Sequence, residues 1–271
     1  MENRIGIGNR GLYIESMIAI SLQSGSNGNC IYVEAGGRRL LFDAGISGLR
    51  AERRLEALGR DIRKVDAVII SHDHSDHVSC AGVYQRKFGL PIFISEPTLK
   101  AAQRGCGLGR LAEIRHFDAG GEMVFGDVRV TTVSTPHDAA DGVVFVIDDG
   151  SRRLGVLTDL GHVFDALPDL VASLDAVFLE SNYDPDMLAN GPYPPHLQER
   201  ILSDHGHISN FEAAELLARA ASPKLQWACL AHLSEKNNTP DLAMRTHRKI
   251  LSPSFPLLVA SRYEATNVLT V

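Results

Sequence analysis

Seven consecutive residues constrain this chain more than any other stretch: Ser71-His72-Asp73-His74-Ser75-Asp76-His77. They directly follow residues 65–70, an apolar run that reads as a buried strand. Three imidazoles and two carboxylates at a strand end are good ligands for Zn, Mn or Fe. His72 and His74 alternate, so an extended segment points both the same way. Asp76 and His77 then turn into a following helix and can face a second centre. A plain polar loop with three unrelated histidines would give this density of ligand-type side chains no purpose.

Other strand ends carry further candidates. Residues 17–22, 30–35 and 39–42 read as strands, and 24–29 between the first two is a turn-rich loop with two glycines. Such a loop is either an ordinary hairpin turn or a set of backbone N–H groups for an anion. Asp43 ends the third strand. It either steadies metal ligands from behind or caps a helix expected over 47–58. A helix is expected over 78–88 and a strand over 128–133, with His137 just beyond the latter. A lone histidine is more often structural, but after the 72–77 segment His137 reads as a ligand. Asp159 ends a strand over 154–157, placed to bridge two ions or to cap a helix over 162–171. Glu180 emerges from an apolar strand over 176–179, where an unpaired carboxylate is costly. Residues 184–205 hold four prolines and read as a loop with a helix over 195–202, able to lie over a site as a lid. Ser209 and Glu212 form a capping-box pattern that fixes the start of a helix over 210–221, and His207 sits just ahead of it. A strand over 225–230 delivers His232. His162, His196, His205 and His247 read as surface or loop residues.

Composition narrows the class. The 271 residues are 44% hydrophobic, enough for a sizeable core. A net charge of −6 argues against a strongly basic nucleic-acid coat but leaves room for local basic patches. Two such windows occur, at Arg50–Lys64 and at Arg245–Lys249; solvated helix faces explain both, and contact with a phosphate backbone is the sharper alternative. Cys30, Cys80, Cys106 and Cys229 are scattered without a CxxC pair, which reads as reduced thiols and a cytoplasmic setting. No apolar run reaches the ~20 residues of a membrane span. Residues 1–16 lack the apolar core of a signal peptide and are expected to be a disordered leader or a misplaced start.

His72-x-His74-x-Asp76-His77 resembles the signature of the metallo-β-lactamase superfamily. Ser24–Asn29, His137-Asp138-Ala139, Thr158-Asp159, Leu179-Glu180-Ser181-Asn182, Gly206-His207-Ile208-Ser209-Asn210, and His232-Leu233-Ser234 with Asn237-Asn238 and Pro240 occur in that order. Together they resemble the YycJ/WalJ branch, from about Met17 to the C-terminus. The resemblance implies an α/β fold: a four-layer αββα sandwich, two mixed sheets flanked by helices, with 17–271 as one domain. It implies a dinuclear metallohydrolase with nuclease activity, a 5′-to-3′ DNA exonuclease. On that reading His72, His74 and His137 hold one ion, Asp76, His77 and His232 a second, and Asp159 bridges them. A hydroxide between two divalent ions (Zn, or Mn or Fe) would be the nucleophile, with Asp76 at the reacting centre. The chain is also similar to the transfer-RNA 3′-processing ribonucleases, whose catalytic Glu–His pair matches Glu180 and His207. Substrate contacts are expected from Ser24, Ser26, Asn27, Asn29, Ser209 and Asn237, with nucleic acid as the partner, DNA first and RNA second. A small-molecule hydrolase (cyclic phosphodiesterase, thioesterase or lactonase) on the same metal core is the alternative. A non-catalytic binding protein keeping the fold is the alternative from another class.

Overall fold

The computed structural model describes residues 16–271. The expected leader therefore lies outside the described residues, apart from Ser16. The first sheet is built from β1 (Ile18–Gln23), β2 (Cys30–Ala35), β3 (Arg38–Phe42), β4 (Ala67–Ile69), β5 (Ile92–Phe93) and β6 (Ile114–Arg115). The second contains β7 (Glu122–Phe125), β8 (Val128–Ser134), β9 (Val143–Asp148), β10 (Arg153–Leu157), β11 (Ala176–Glu180), β12 (Trp227–Ala231) and β13 (Leu257–Val259). The last strand, β14 (Leu269–Thr270), returns to the edge of the first sheet beside β1. The strand orders are β14-β1-β2-β3-β4-β5-β6 and β13-β12-β11-β10-β9-β8-β7. Each sheet is antiparallel in one half and parallel in the other, β3 to β6 and β10 to β13.

Side-chain alternation explains why the sheets stack. In β2, Ile31, Val33 and Ala35 face the opposite sheet, while Cys30 and Tyr32 face helices. Both faces are apolar, so each sheet must be covered twice. The inner layer joins Phe42 to Phe145, ring centroids 5.0 Å apart, a contact worth roughly 0.5–1.5 kcal/mol beyond its buried area. Outside the first sheet lie α1 (Gly48–Ala57), α2 (Ser75–Val78), α3 (Ala81–Phe88) and α4 (Glu96–Gly105). The second sheet is covered by α5 (Leu167–Ala172), α8 (Asn210–Ala220) and α9 (Pro240–Ile250), while α6 (Pro185–Asn190) and α7 (Pro195–Leu202) form an excursion before α8. Two mixed sheets flanked by helices give the four-layer sandwich that was expected. No helix among the described residues is long and apolar enough to cross a membrane.

Several local expectations need correcting. The helix expected over 162–171 starts only at Leu167, so Asp159 caps nothing. A Cβ on Gly161 would lie 1.7 Å from the Pro136 carbonyl, and His162 Nδ1 donates to the Asp204 carbonyl; both pin that stretch as irregular chain. The helix expected over 78–88 starts only at Ala81, and Val78 instead ends the separate turn α2. Strand β7 and helix α6 stand where no element was expected. His247 is fully buried, not on the surface: its Nδ1 donates to the Ala243 carbonyl one turn back.

Candidate metal centre

Loops leaving the C-terminal ends of β3, β4, β8, β10, β11 and β12 meet at one edge of the sandwich. His74 is the N-cap of α2, in extended conformation at φ −65° and ψ 144°, so His72 and His74 project from straight chain and Asp76 and His77 from the first helical turn. The His72 ring stands 4.7 Å from His74 and 4.1 Å from His77, centroid to centroid. His137 comes from the end of β8 to 4.9 Å from His74, and His232 from the end of β12 to 5.3 Å from His77. Asp159 lies between them. Its Oδ1 is 3.6 Å from Nε2 of both His137 and His232 and 4.0 Å from that of His72. Its Oδ2 is 3.3 Å from His77 Nε2. All seven expected ligands are thus brought together.

Each imidazole is held by the nitrogen that faces away from Asp159. His77 Nδ1 lies 2.7 Å from Asp43 Oδ2. The Ser71 hydroxyl donates to that same Oδ2 at 3.0 Å and accepts from His72 Nδ1 at 2.9 Å. His137 Nδ1 donates to the Gly206 carbonyl at 2.9 Å, and His74 Nε2 to the Asp138 carbonyl at 3.2 Å. His232 Nδ1 lies 3.2 Å from Glu180 Oε1. Fixing the outer nitrogen sets the tautomer and leaves the inner lone pair for a cation. Of the two readings open for Asp43, support of the ligands fits; Ser47, not Asp43, caps α1.

The backbone is strained where the chain turns toward the site. Asp43, Asp159 and His232 have φ of 66, 61 and 54°, a left-handed region that costs a residue with a Cβ. Surrounding contacts hold these turns in place. Gly45 lets the Asp43 loop pass against the metal segment: a Cβ there would sit 1.7 Å from the Asp76 carbonyl.

Charge and burial oppose one another here. Burial lowers His72 well below the usual histidine range. Burial also acts downward on His77, but Asp159, Asp43 and Asp76 outweigh it and raise that ring to about 9. Asp159 is pushed upward by burial and pulled well below the carboxylate range by the histidines around it, His232 foremost. Among the described residues, His72 Nε2 and Asp159 Oδ2 are buried without a hydrogen-bond partner. Orphaned polar atoms are costly, and a cation between them would satisfy both. The donor set, nitrogen and carboxylate oxygen around a shared Asp159, fits divalent Zn, Mn or Fe.

Glu180 is fully buried and does more than pair with His207. Its Oε1 takes His207 Nδ1 at 2.8 Å, His232 Nδ1 and the Asp159 N–H; its Oε2 accepts from Leu160 N and Ile208 N. Asp159, Glu180, His207 and His232 also lie within ligand distance of one another, but both Glu180 oxygens are already engaged by donors. Those contacts, above all His207, hold its carboxyl below the usual range against the upward push of burial.

A cavity of about 330 Å³ opens over this centre. Its walls include Ser26, Asp76, His207 and Asn182, with Tyr193, Leu197 and Arg200 from the 184–205 excursion. The excursion thus stands at the mouth, where a lid was expected, and its Arg200 Nε is bonded to the Asp138 carboxylate. Of the six expected substrate contacts, Ser26 alone lines this cavity. Ser24 Oγ and Asn29 Oδ1 instead accept from the backbone N–H of His232 and Gly25, and Asn29 Nδ2 lies 2.9 Å from His77 Nε2. Asn27 reaches the Arg262 carbonyl, Ser209 caps α8 through Glu212, and Asn237 is fully buried. The N–H groups of Ser24, Gly25, Gly28 and Asn29 are all already bonded, so the loop offers little backbone cradle. Arg200 and Tyr193 escaped the sequence reading because nothing in a proline-rich segment says which side chains turn inward.

Residues 38–232 match the family model described as a β-lactamase superfamily domain. The chain belongs to the metallo-β-lactamase superfamily. Within it, this superfamily hydrolase is 35% identical over 230 residues to a Bacillus anthracis protein named exodeoxyribonuclease YycJ, covering 85% of this chain and 87% of that one. It is 35% identical over 227 residues to exodeoxyribonuclease WalJ of Streptococcus pneumoniae, covering 83% and 84%. Among solved structures it superposes on the metallo-β-lactamase fold protein YhfI of Bacillus subtilis with a TM-score of 0.71 at 18% identity, over 93% of this chain and 99% of that one.

Proposed function

We propose that this hydrolase is a dinuclear, metal-dependent phosphodiesterase that degrades DNA from an end, in the 5′-to-3′ direction the branch resemblance implies. The observation that carries the reading is the His207 ring, which faces the cavity with the buried Glu180 behind it, beside a seven-residue ligand cluster. The names of the YycJ and WalJ relatives point the same way. His72, His74 and His137 would hold one cation and Asp76, His77 and His232 the other, with Asp159 shared. Divalent cations there supply, when bound, water activated near neutral pH and positive charge against a phosphate. The chain's own groups do the rest. Glu180 fixes the His207 ring through Nδ1, so Nε2 is the atom able to hand a proton to the leaving oxygen. Arg200, on the cavity wall, offers a guanidinium to phosphate oxygens. Asp76 Oδ2 and His232 Nε2 stand 3.3 Å apart on the cavity side, where both would face the second cation.

A cavity of about 330 Å³ sits at the small end of the range of roughly 300–1,000 Å³ for ligand pockets. It suits one nucleotide at a strand end better than a continuous duplex. The same size also admits a small phosphodiester or thioester, which keeps the small-molecule reading in play. Metal-loaded protein should be given duplexes labelled at the 5′ or the 3′ end, beside bis-p-nitrophenyl phosphate, nitrocefin and S-lactoylglutathione. Immediate release of the 5′ label as short product is expected. Turnover of S-lactoylglutathione or nitrocefin with intact DNA would overturn the proposal, and early release of the 3′ label would reverse the direction.

A further inference from the structure

Beside the metal cavity lies a second one, about 170 Å³, lined by Ser24, Ser234, Thr239, Arg262 and Tyr263 among others. The two share Ser234. Arg262 is the unusual feature. Its Nε and Nη2 are buried, and among the described residues neither has an acceptor. A guanidinium stays charged at any physiological pH and carries five donors, so leaving two of its nitrogens buried without an acceptor is costly. It is held there by its own backbone. The Ser261 and Arg262 carbonyls accept from Ser24 N and Asn27 Nδ2, and the Tyr263 carbonyl from Arg54. Gly25 leaves room for the side chain: a Cβ there would stand 3.3 Å from Arg262 Nη2.

The other donors in the cavity fit an anion. Thr239 is the N-cap of α9, its Oγ1 accepting from Leu242 N, and Ser234 Oγ accepts from Asn237 N. Each hydroxyl therefore keeps its proton to donate. The positive end of the eleven-residue α9 points the same way. Glu235 is the one carboxylate on the wall; it is half-exposed and lies 3.9 Å from Lys236 Nζ. Tyr263 is 64% exposed, with its ring 6.0 Å from the Arg262 guanidinium carbon. An exposed ring next to a cation is the arrangement that stacks a nucleobase and holds its phosphate.

We infer that this cavity is a nucleotide subsite of the strand being cut: Arg262, Ser234 and Thr239 take a phosphate, and Tyr263 stacks the base. The inference rests on the nuclease reading and gives it a second anchor, one residue beyond the metal-ligand turn at His232 and Leu233. The phosphate is either a terminal monoester or an internal diester, and the substrates below separate the two.

Arg262→Gln, which keeps most of the volume, and Tyr263→Ala would be compared with the parent protein, all metal-loaded. Arg262→Gln should bind a fluorescent oligonucleotide at least about 10-fold more weakly, with the slope of log K against log salt smaller by about 1. Tyr263→Ala should weaken binding while leaving that slope unchanged. Hydrolysis of bis-p-nitrophenyl phosphate, which has no second phosphate, should stay at the parent rate in both and so report an intact fold and centre. Loss confined to 5′-phosphorylated oligonucleotides assigns the terminal monoester; equal loss with 5′-hydroxyl ends assigns the diester. Parent-like affinity and salt slope in Arg262→Gln overturns the subsite alone. A parent protein that hydrolyses bis-p-nitrophenyl phosphate but neither binds nor cuts any oligonucleotide overturns the nucleic-acid reading and the subsite with it.

Discussion

At the residue scale, two neighbouring side chains predict different failures. His207 touches Glu180 and the cavity but lies outside the seven-ligand cluster, so His207→Ala should cost turnover by roughly 10²–10⁴-fold, the usual range for a proton donor, with metal content near that of the parent. Metal analysis decides this: an ion lost from His207→Ala would make His207 a ligand. Glu180 reaches further, because it also orients His232 and the backbone of Asp159. Glu180→Gln should therefore weaken binding of a cation by about 10–100-fold, as removal of an outer support does, and should lower activity even at saturating metal because His207 loses its anchor. Competition with a chromogenic chelator measures the first effect; unaltered affinity for both ions would confine Glu180 to the His207 pair. The left-handed turns at Asp43, Asp159 and His232 belong to the same logic. Strain at non-glycine residues persists only where contacts over-determine it, and all three of these sit at the cluster of candidate metal ligands.

At the scale of elements, the strand ends were readable and the excursion was not. Strand β12 is an unbroken apolar run ending in a histidine, and β11 another ending in a glutamate; apolar runs of this length bounded by polar side chains announce both the strand and the place where it opens. The capping box at Ser209 was equally explicit, since its two reciprocal hydrogen bonds are written in the residue types. Residues 184–205 carry no such periodicity. Helix α6 is six residues long, with Asp184 as its N-cap and Pro185 opening it, a local start signal; the packing of Leu188 with Tyr183 and Ile201 is the part no local pattern encodes. The Ser24–Asn29 loop was open between a plain turn and an anion cradle; Gly25 and Gly28 spend their N–H groups inside the loop, and Ser24 and Asn29 spend theirs on Ser261 and Asp76. Helix α7 gives a prediction of its own. Arg200 ties it to Asp138, whose carboxyl burial would raise but Arg200 and His137 hold low. The pair is partly exposed, so Arg200→Ala should cost global stability no more than about 0–1 kcal/mol. Local opening should respond more: amide exchange in 184–205 should speed up while the strands stay protected. Unchanged exchange there would show that the excursion is held by its apolar cluster alone.

At the scale of the whole molecule, four layers leave three apolar interfaces, and the outermost contains a titratable group that the chemistry does not use. His247 lies on the inner face of α9, fully buried, with Nδ1 donating to the Ala243 carbonyl and Nε2 without a partner among the described residues. Burial, with Arg248 adding to it, lowers this ring from 6.5 to about 4. Because the folded value is the lower one, the unfolded chain binds the extra proton between those two pH values. The stabilisation is therefore complete above about pH 6.5 and is lost progressively as pH falls toward 4. A gap of about 2.5 units corresponds to roughly 3 kcal/mol at full effect, a sizeable share of the ~5–15 kcal/mol that holds a domain folded. The site carboxylates also titrate in acid, so the comparison must be differential. Urea unfolding of the parent and of His247→Met, whose flexible apolar chain fills irregular space, should be followed at pH 7.5 and pH 5. The parent should lose about 2 kcal/mol more than the variant between those two conditions. Parallel losses in both proteins would mean that the ring is protonated in place, and that α9 yields to water before the rest of the sandwich does.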